Sequence, residues 1–154
     1  MCNCKCGNNN QKLSMKVKLL DHDSKIPSRQ TYGSAGYDLY SSQTANISSG
    51  CTFKINTGIA LQIPEGYVGL IFARSGLATK KGIRPANCVG VIDSDYRGEI
   101  IVALHNDSGD SAIIQKGDRI AQLVIVPYIS PDLIQCNELD DTDRGSGGFG
   151  STGS

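Results

Sequence analysis

The stretch GVIDSDYRGEIIVALH, residues 90–105, decides the fold class. Gly90, Val91 and Ile92 form a short apolar run, Asp93 to Gly98 are polar and turn-forming, and Glu99 to His105 return to Ile, Val and Leu. Runs this short cannot wind a helix with a buried stripe, and their branched side chains fit a pleated surface. The reading is strand, turn, strand.

The same grammar repeats on both sides. Met15, Val17 and Leu19 alternate with Lys16 and Lys18, the period of a half-buried strand. Ile59, Leu61 and Ile63 alternate with Ala60 and Gln62 before a Pro64-Glu65-Gly66 turn. YVGLIFA (67–73), SAIIQ (111–115) and RIAQLVIV (119–126) are further aliphatic runs bounded by Gly, Asp and Lys. SGLATKKG, Ser75 to Gly82, alone reads as helix, for about two turns. Many short strands at close spacing predict an all-β sandwich, barrel or jelly roll.

Composition narrows the classes. At 154 residues the chain suits one domain with a real core. Lys+Arg 15 against Asp+Glu 15 leaves no field that would draw nucleic acid or membrane. No apolar run is long enough to span a bilayer, and MCNCKCGNNNQK at the start lacks a secretory apolar segment. The expectation is an intracellular chain with reduced thiols, cytoplasm and nucleus not being distinguished. Cys51, Cys88 and Cys136 then read as small buried hydrophobes. Three regions follow: a disordered Cys/Asn-rich arm (1–14), a strand-rich core (15–136), and an acidic linker NELDDTD leading into a glycine-rich tail (137–154). Cys2, Cys4 and Cys6 in the arm are incidental thiols or, alternatively, a soft-metal chelate.

Polar clusters interrupt the strands where a sheet has no use for them. AGYDLY (35–40) puts Asp38 in an apolar run. FARSGLA (72–78) puts Arg74 and Ser75 before the helix, whose first amides would face an anion. KGDRIAQLVI (116–125) puts Arg119 and Gln122 at a strand entry. Three arginines, with Arg144 in the tail, are expected to converge with a serine and one or two aspartates, the set needed to hydrolyse a phosphate ester. Structural readings compete. Asp95 and Asp118 suit turns, Arg97 and Arg119 read equally well as ion-pair partners, and Tyr37, Tyr40 and Tyr67 read as core rings. His22 and His105 receive no role. GLATKKG lacks Walker order, Ser75 lacks a nucleophile elbow, and the terminal G-x-G-x-x-G of Gly145–Gly150 has no βαβ unit around it.

Taken in order, AGYDLY, ARSGLA, GVIDSDYRG, GDRIAQL and RGSGGFG resemble the five short motifs of the trimeric dUTP pyrophosphatases (dUTPases). The resemblance runs from about Met15 to the C-terminus and leaves the Cys-rich arm outside it. It implies a distorted jelly-roll β-barrel with one short helix, assembled as a homotrimer. A flexible C-terminal tail would be swapped onto a neighbouring site, with active sites shared between subunits. It implies hydrolysis of dUTP to dUMP and pyrophosphate, which limits uracil incorporation into DNA and supplies dUMP for thymidylate synthesis.

Residue by residue, the resemblance makes Asp93 the base that orients and deprotonates the attacking water, an effect typically worth ~10²–10⁴-fold. Mg²⁺ would sit on the triphosphate oxygens and water, with no direct protein ligand, and Asp38 would support it from the outer shell. Tyr96 matches the ring that packs under the deoxyribose and leaves no room for a 2′-hydroxyl. The backbone of Gly90, Val91 and Ile92, in a hairpin with Asn87 alongside, would read uracil, because mismatched buried polar groups are costly on cytosine. Arg74, Ser75 and Gly76 would hold the phosphates, Ser75 near the scissile bridge, and Gln122 would add a contact; Arg119 stays a supporting residue of open role. In the tail, Phe149 would stack on uracil, while Arg144, Gly150 and the Gly-Ser-Thr amides would grip the γ-phosphate. Two alternatives remain: a dCTP deaminase of the same fold, which would want another carboxylate and lacks the D-x-x-Y turn of Asp93 and Tyr96, and a non-catalytic nucleotide-binding module.

Overall fold

The computed structural model describes residues 13–148. The expectations for Cys2, Cys4, Cys6, Phe149 and Gly150 lie outside them. Ten strands and one helix follow in chain order: β1 (Lys16–Leu19), β2 (Tyr37–Tyr40), β3 (Ala45–Ile47), β4 (Thr52–Gln62), β5 (Tyr67–Phe72), α1 (Ser75–Lys81), β6 (Ile83–Pro85), β7 (Gly90–Ile92), β8 (Glu99–Asn106), β9 (Ala112–Ile114) and β10 (Arg119–Pro127). They form two four-stranded sheets, β1-β4-β8-β6 and β2-β10-β5-β7, and a small β3-β9 pair. Every pairing is antiparallel. A βαβ reading of the glycines is thereby excluded, and the architecture is the expected jelly roll.

One core joins all three sheets. Leu39, Ile71 and Leu123 from one large sheet meet Ile55, Ile59 and Leu104 from the other, with Ile47 and Ile114 closing an end. Alternation holds along β8, where Ile100, Val102 and Leu104 are buried while Ile101 is exposed. It fails in β4, where Ile59, Ala60 and Leu61 are all buried. There the register slips between Asn56 and Ala60, and Gly58 turns to φ +68°. Glu99 fills the break, accepting from the Gly58 amide (2.7 Å) and from Asn56 Nδ2 (2.9 Å).

Two expectations are corrected. The hairpin expected between Gly90–Ile92 and the following strand does not form, because β7 pairs with β5 in one sheet and β8 with β4 and β6 in the other. The turn of residues 93–98 therefore crosses between sheets. Cys51, Cys88 and Cys136 are exposed, not buried. They sit between strands or beyond β10, and Cys88 occupies a left-handed turn at φ +59°.

The last strand stops at Pro127. Beyond it Ile129, Leu133, Ile134 and Leu139 are almost wholly exposed, at 91%, 96%, 87% and 87%. Apolar side chains left this bare have no packing partner among the described residues. The outer face of the β10–β5–β7 sheet is partly uncovered. Val68, Leu70, Phe72, Val124 and Val126 are only half-buried there, and Val91 is 61% exposed.

Candidate active site

The centre of one half of the site is Asp38. Its carboxylate is buried in β2, and Arg74 Nε donates to one oxygen at 2.8 Å while Arg119 Nη1 donates to the other at 3.2 Å. An isolated buried carboxylate is costly, and two guanidinium partners remove that cost while fixing the arginines. Asp38 thus holds cations with both oxygens, which places it as an arginine clamp. Arg119, left open by the sequence, is an ion-pair partner here, and its carbonyl accepts from Arg74 Nη1 at 3.3 Å.

Arg74 also begins α1. Its backbone is extended and no side chain caps the helix, so the amides of Ser75 and Gly76 have no intrahelical partner. The Leu77 and Ala78 amides already bond to the Arg74 carbonyl. Gly82, at φ +65°, ends the helix in the left-handed conformation. Arg74, Ser75 and Gly76 therefore line one concavity together with Asp38 and Gln122. Gln122 does not point freely into it: its Nε2 donates to the Ala73 carbonyl at 2.8 Å, tying β10 to the residue before Arg74. Gly36 makes that possible, since a Cβ there would lie 2.8 Å from Gln122 Oε1. Gly36 and the wall formed by Gln30 and Ser34 escaped the sequence reading; the only available signal was the glycine before YDLY.

The other half of the site is Asp93. It follows β7 and lines a separate concavity with Val68, Leu70, Val91 and Tyr128. The turn that carries it is closed by its own atoms. The Tyr96 amide donates to the Asp93 carbonyl at 3.2 Å, and Arg97 Nη1 donates to the carbonyls of Ser94 (2.6 Å) and Tyr96 (2.8 Å). Arg97 forms no ion pair among the described residues; it braces backbone. Tyr96 is 43% exposed and its hydroxyl donates to the Glu99 carbonyl at 3.0 Å. Asn87 is exposed in the preceding turn, within reach of Gly90, where an added Cβ would lie 3.5 Å from Asn87 Nδ2.

The expected convergence of Asp93 with the arginines is not found within one chain. Ile92 is level with Gly69 on β5, so Asp93 falls level with Val68, whereas Arg74 lies beyond the far end of that strand. Six residues of extended chain separate them by about 20 Å. Arg144, also expected there, lies on the exposed C-terminal segment and donates through Nε to the Gly147 carbonyl at 2.9 Å. Asp118 is the turn former expected of it, accepting from the Gln115 amide at 2.9 Å. Among the described residues no three His, Cys, Asp or Glu side chains cluster as a metal cage would require.

The site can be compared with known proteins. The family model described as dUTPase matches residues 22–153. A deoxyuridine 5′-triphosphate nucleotidohydrolase of Desulfitobacterium hafniense is 48% identical over 147 residues, covering 91% of this chain and 97% of that protein. One from Paramecium bursaria Chlorella virus 1 is 46% identical over 140 residues, covering 91% and 98%. Among solved structures, the G164S mutant of the Staphylococcus bacteriophage 80alpha dUTPase with dUpNHpp superposes with a TM-score of 0.85 at 34% identity, covering 92% of this chain and 99% of that one. The D95N mutant of the dUTPase from phage phi11 of S. aureus, described with a structural Mg(II) ion, has a TM-score of 0.77 at 31% identity, covering 82% and 98%. With matching length, fold and motif order, the chain belongs to the dUTPase family.

Proposed function

We propose that the protein hydrolyses dUTP to dUMP and pyrophosphate, with Asp93 as the base. Water donates its proton to the Asp93 carboxylate and its oxygen bonds to the α-phosphorus. The bond from that phosphorus to the α–β bridging oxygen breaks, and pyrophosphate leaves with the electron pair. The observation that carries this reading is the state of Asp93. It is an exposed carboxylate with no side-chain partner among the described residues, on a turn locked by Tyr96 and Arg97. A free, well-positioned carboxylate is what general-base catalysis needs. Arg74, steered by Asp38, and the free Ser75 and Gly76 amides supply the anion grip. The test is pyrophosphate release across all four dNTPs and dUTP, run also in ¹⁸O-water. Label must appear in dUMP; label in pyrophosphate refutes attack at the α-phosphorus.

Magnesium enters this scheme with the substrate. Asp38 has both oxygens on arginines, and among the described residues no three His, Cys, Asp or Glu side chains gather to hold a resident ion. A hard cation that keeps its waters is suited to triphosphate oxygens.

The active site is assembled from more than one copy, in a homotrimer. The support is the 20 Å or so between Asp93 and Arg74 along β5, where both must flank one α-phosphate. The bare apolar face between them, with Val91 at its edge, and the uncovered arm from Ile129 to Leu139 supply surfaces for association. Mixing inactive D93N with inactive R74Q protein tests it. Under random exchange about a quarter of shared sites regain both wild-type halves, so activity reappears. No recovery would place the whole site in one chain.

A further inference from the structure

We propose that Gly98 sets the depth of the sugar floor, as the residue that allows the Tyr96 ring to lie flat against the backbone. This rests on the reading of Tyr96 as the ring beneath the deoxyribose. The backbone of Gly98 does not require glycine, for its φ is outside the left-handed range taken by Gly50, Gly58, Gly66, Gly82, Gly117 and Gly145. The requirement is space. A Cβ on residue 98 would lie 2.6 Å from Tyr96 Cζ and 3.0 Å from Cε2, and closer still to the hydroxyl oxygen. The three nearest atoms all belong to that one ring.

Unstrained carbon contacts need about 3.5–4.0 Å, so an added methyl lifts the hydroxyl end of the ring by about 1 Å. The lift breaks the bond from the Tyr96 hydroxyl to the Glu99 carbonyl, which holds the ring down at 3.0 Å. It also pushes the ring toward the side on which the sugar rests. The other bonds of the turn, from the Tyr96 amide to the Asp93 carbonyl and from Arg97 to the Ser94 and Tyr96 carbonyls, use no atom of the ring and can persist when it tilts. Gly98 is therefore a positioning residue acting through Tyr96: it touches neither sugar nor phosphate.

The test is steady-state hydrolysis of dUTP and UTP by G98A, Y96A and the Y96A/G98A pair, beside melting curves. G98A should lower kcat/KM for dUTP about 10- to 100-fold, carried by KM, as expected when a binding surface is misplaced by about 1 Å. UTP stays excluded, because the floor has risen. With the ring gone there is nothing to lift, so the pair should behave as Y96A alone. An unchanged KM in G98A, or a pair clearly worse than Y96A, overturns the role of Gly98. A Y96A enzyme whose UTP/dUTP ratio equals that of wild type overturns the sugar-floor reading itself and the proposal with it. Should G98A fail to fold, removing the ring must restore folding in the pair; a pair that stays unfolded refutes the proposal.

Discussion

Replacing Asp38 with asparagine separates charge from shape. The amide fits the same space in β2, and its oxygen can still accept from Arg74. Its NH₂ then faces Arg119 Nη1, donor against donor, across the 3.2 Å now spanned by an ion pair. The Arg74–Asp38 bond is partly buried, with the two side chains 26% and 10% exposed, and a charged hydrogen bond of this kind contributes roughly 1.5–3 kcal/mol. Arg119 is 41% exposed and solvent-screened, so its share is a few tenths of a kcal/mol. Because the amide oxygen keeps the Arg74 bond but loses its charge, the sum for D38N is about 1–2 kcal/mol, or roughly 2–8 °C in melting temperature for a domain of this size. Melting must be compared at one protein concentration, because the proposed assembly would add its own stability. Loss of the clamp also frees Arg74 from its position at the head of α1, so KM for dUTP should rise at least tenfold, a cost of 1.4 kcal/mol or more in binding. The assay pairs calorimetry with dUTP kinetics over a range of magnesium concentrations. A variant that melts like wild type would refute the clamp. A variant that melts lower but recovers fully with excess magnesium would mean that Asp38 acts on the metal instead of on the arginines.

D93N should melt within about 1 °C of wild type, since the carboxylate has no partner to lose, while kcat falls by about 10² or more; wild-type turnover would remove Asp93 from the chemistry. Truncation after Asp143 removes no strand among the described residues, so the melting curve should be unchanged while dUTP hydrolysis collapses. An arginine–phosphate bond and an aromatic stack each contribute on the order of 1–3 kcal/mol, and full activity without the tail would dismiss both. C88G should raise stability by up to about 1 kcal/mol, because glycine adopts the positive φ of that turn without the strain a Cβ brings, net of its own entropy; a lowered melting temperature would show that the thiol makes a compensating contact.

The strands were legible because aliphatic runs and period-two alternation mark a buried face, and β5, β8 and β10 fall where YVGLIFA, EIIVALH and RIAQLVIV place them. The helix was legible for the same local reason, with Gly82 marking its end. Pairing was not legible. Side-chain periodicity says which face is inward but not which strand lies alongside, so β7 and β8 looked like one hairpin. The partners of Asp38 lie 36 and 81 residues away, beyond any local pattern. The cysteines misled because exposure depends on which turn a residue occupies. Leu133 and Ile134 carry a core-like signal yet stand bare, since no other described part of the chain packs on them.

β5 has one further consequence, for how such a chain can vary. Its six residues, Tyr67 to Phe72, set the spacing between Asp93 and Arg74 by a single run of extended backbone. Inserting or deleting one residue there would shift the spacing by about 3.3 Å and turn every later side chain to the opposite face. Ile71 would leave the core and Phe72 would enter it. The loops at residues 20–36 and 107–111 carry no such measurement and can lengthen at a cost that grows only slowly with their length. Length variation in relatives should therefore gather in the loops and stop at β5, because that strand is the ruler between Asp93 and Arg74.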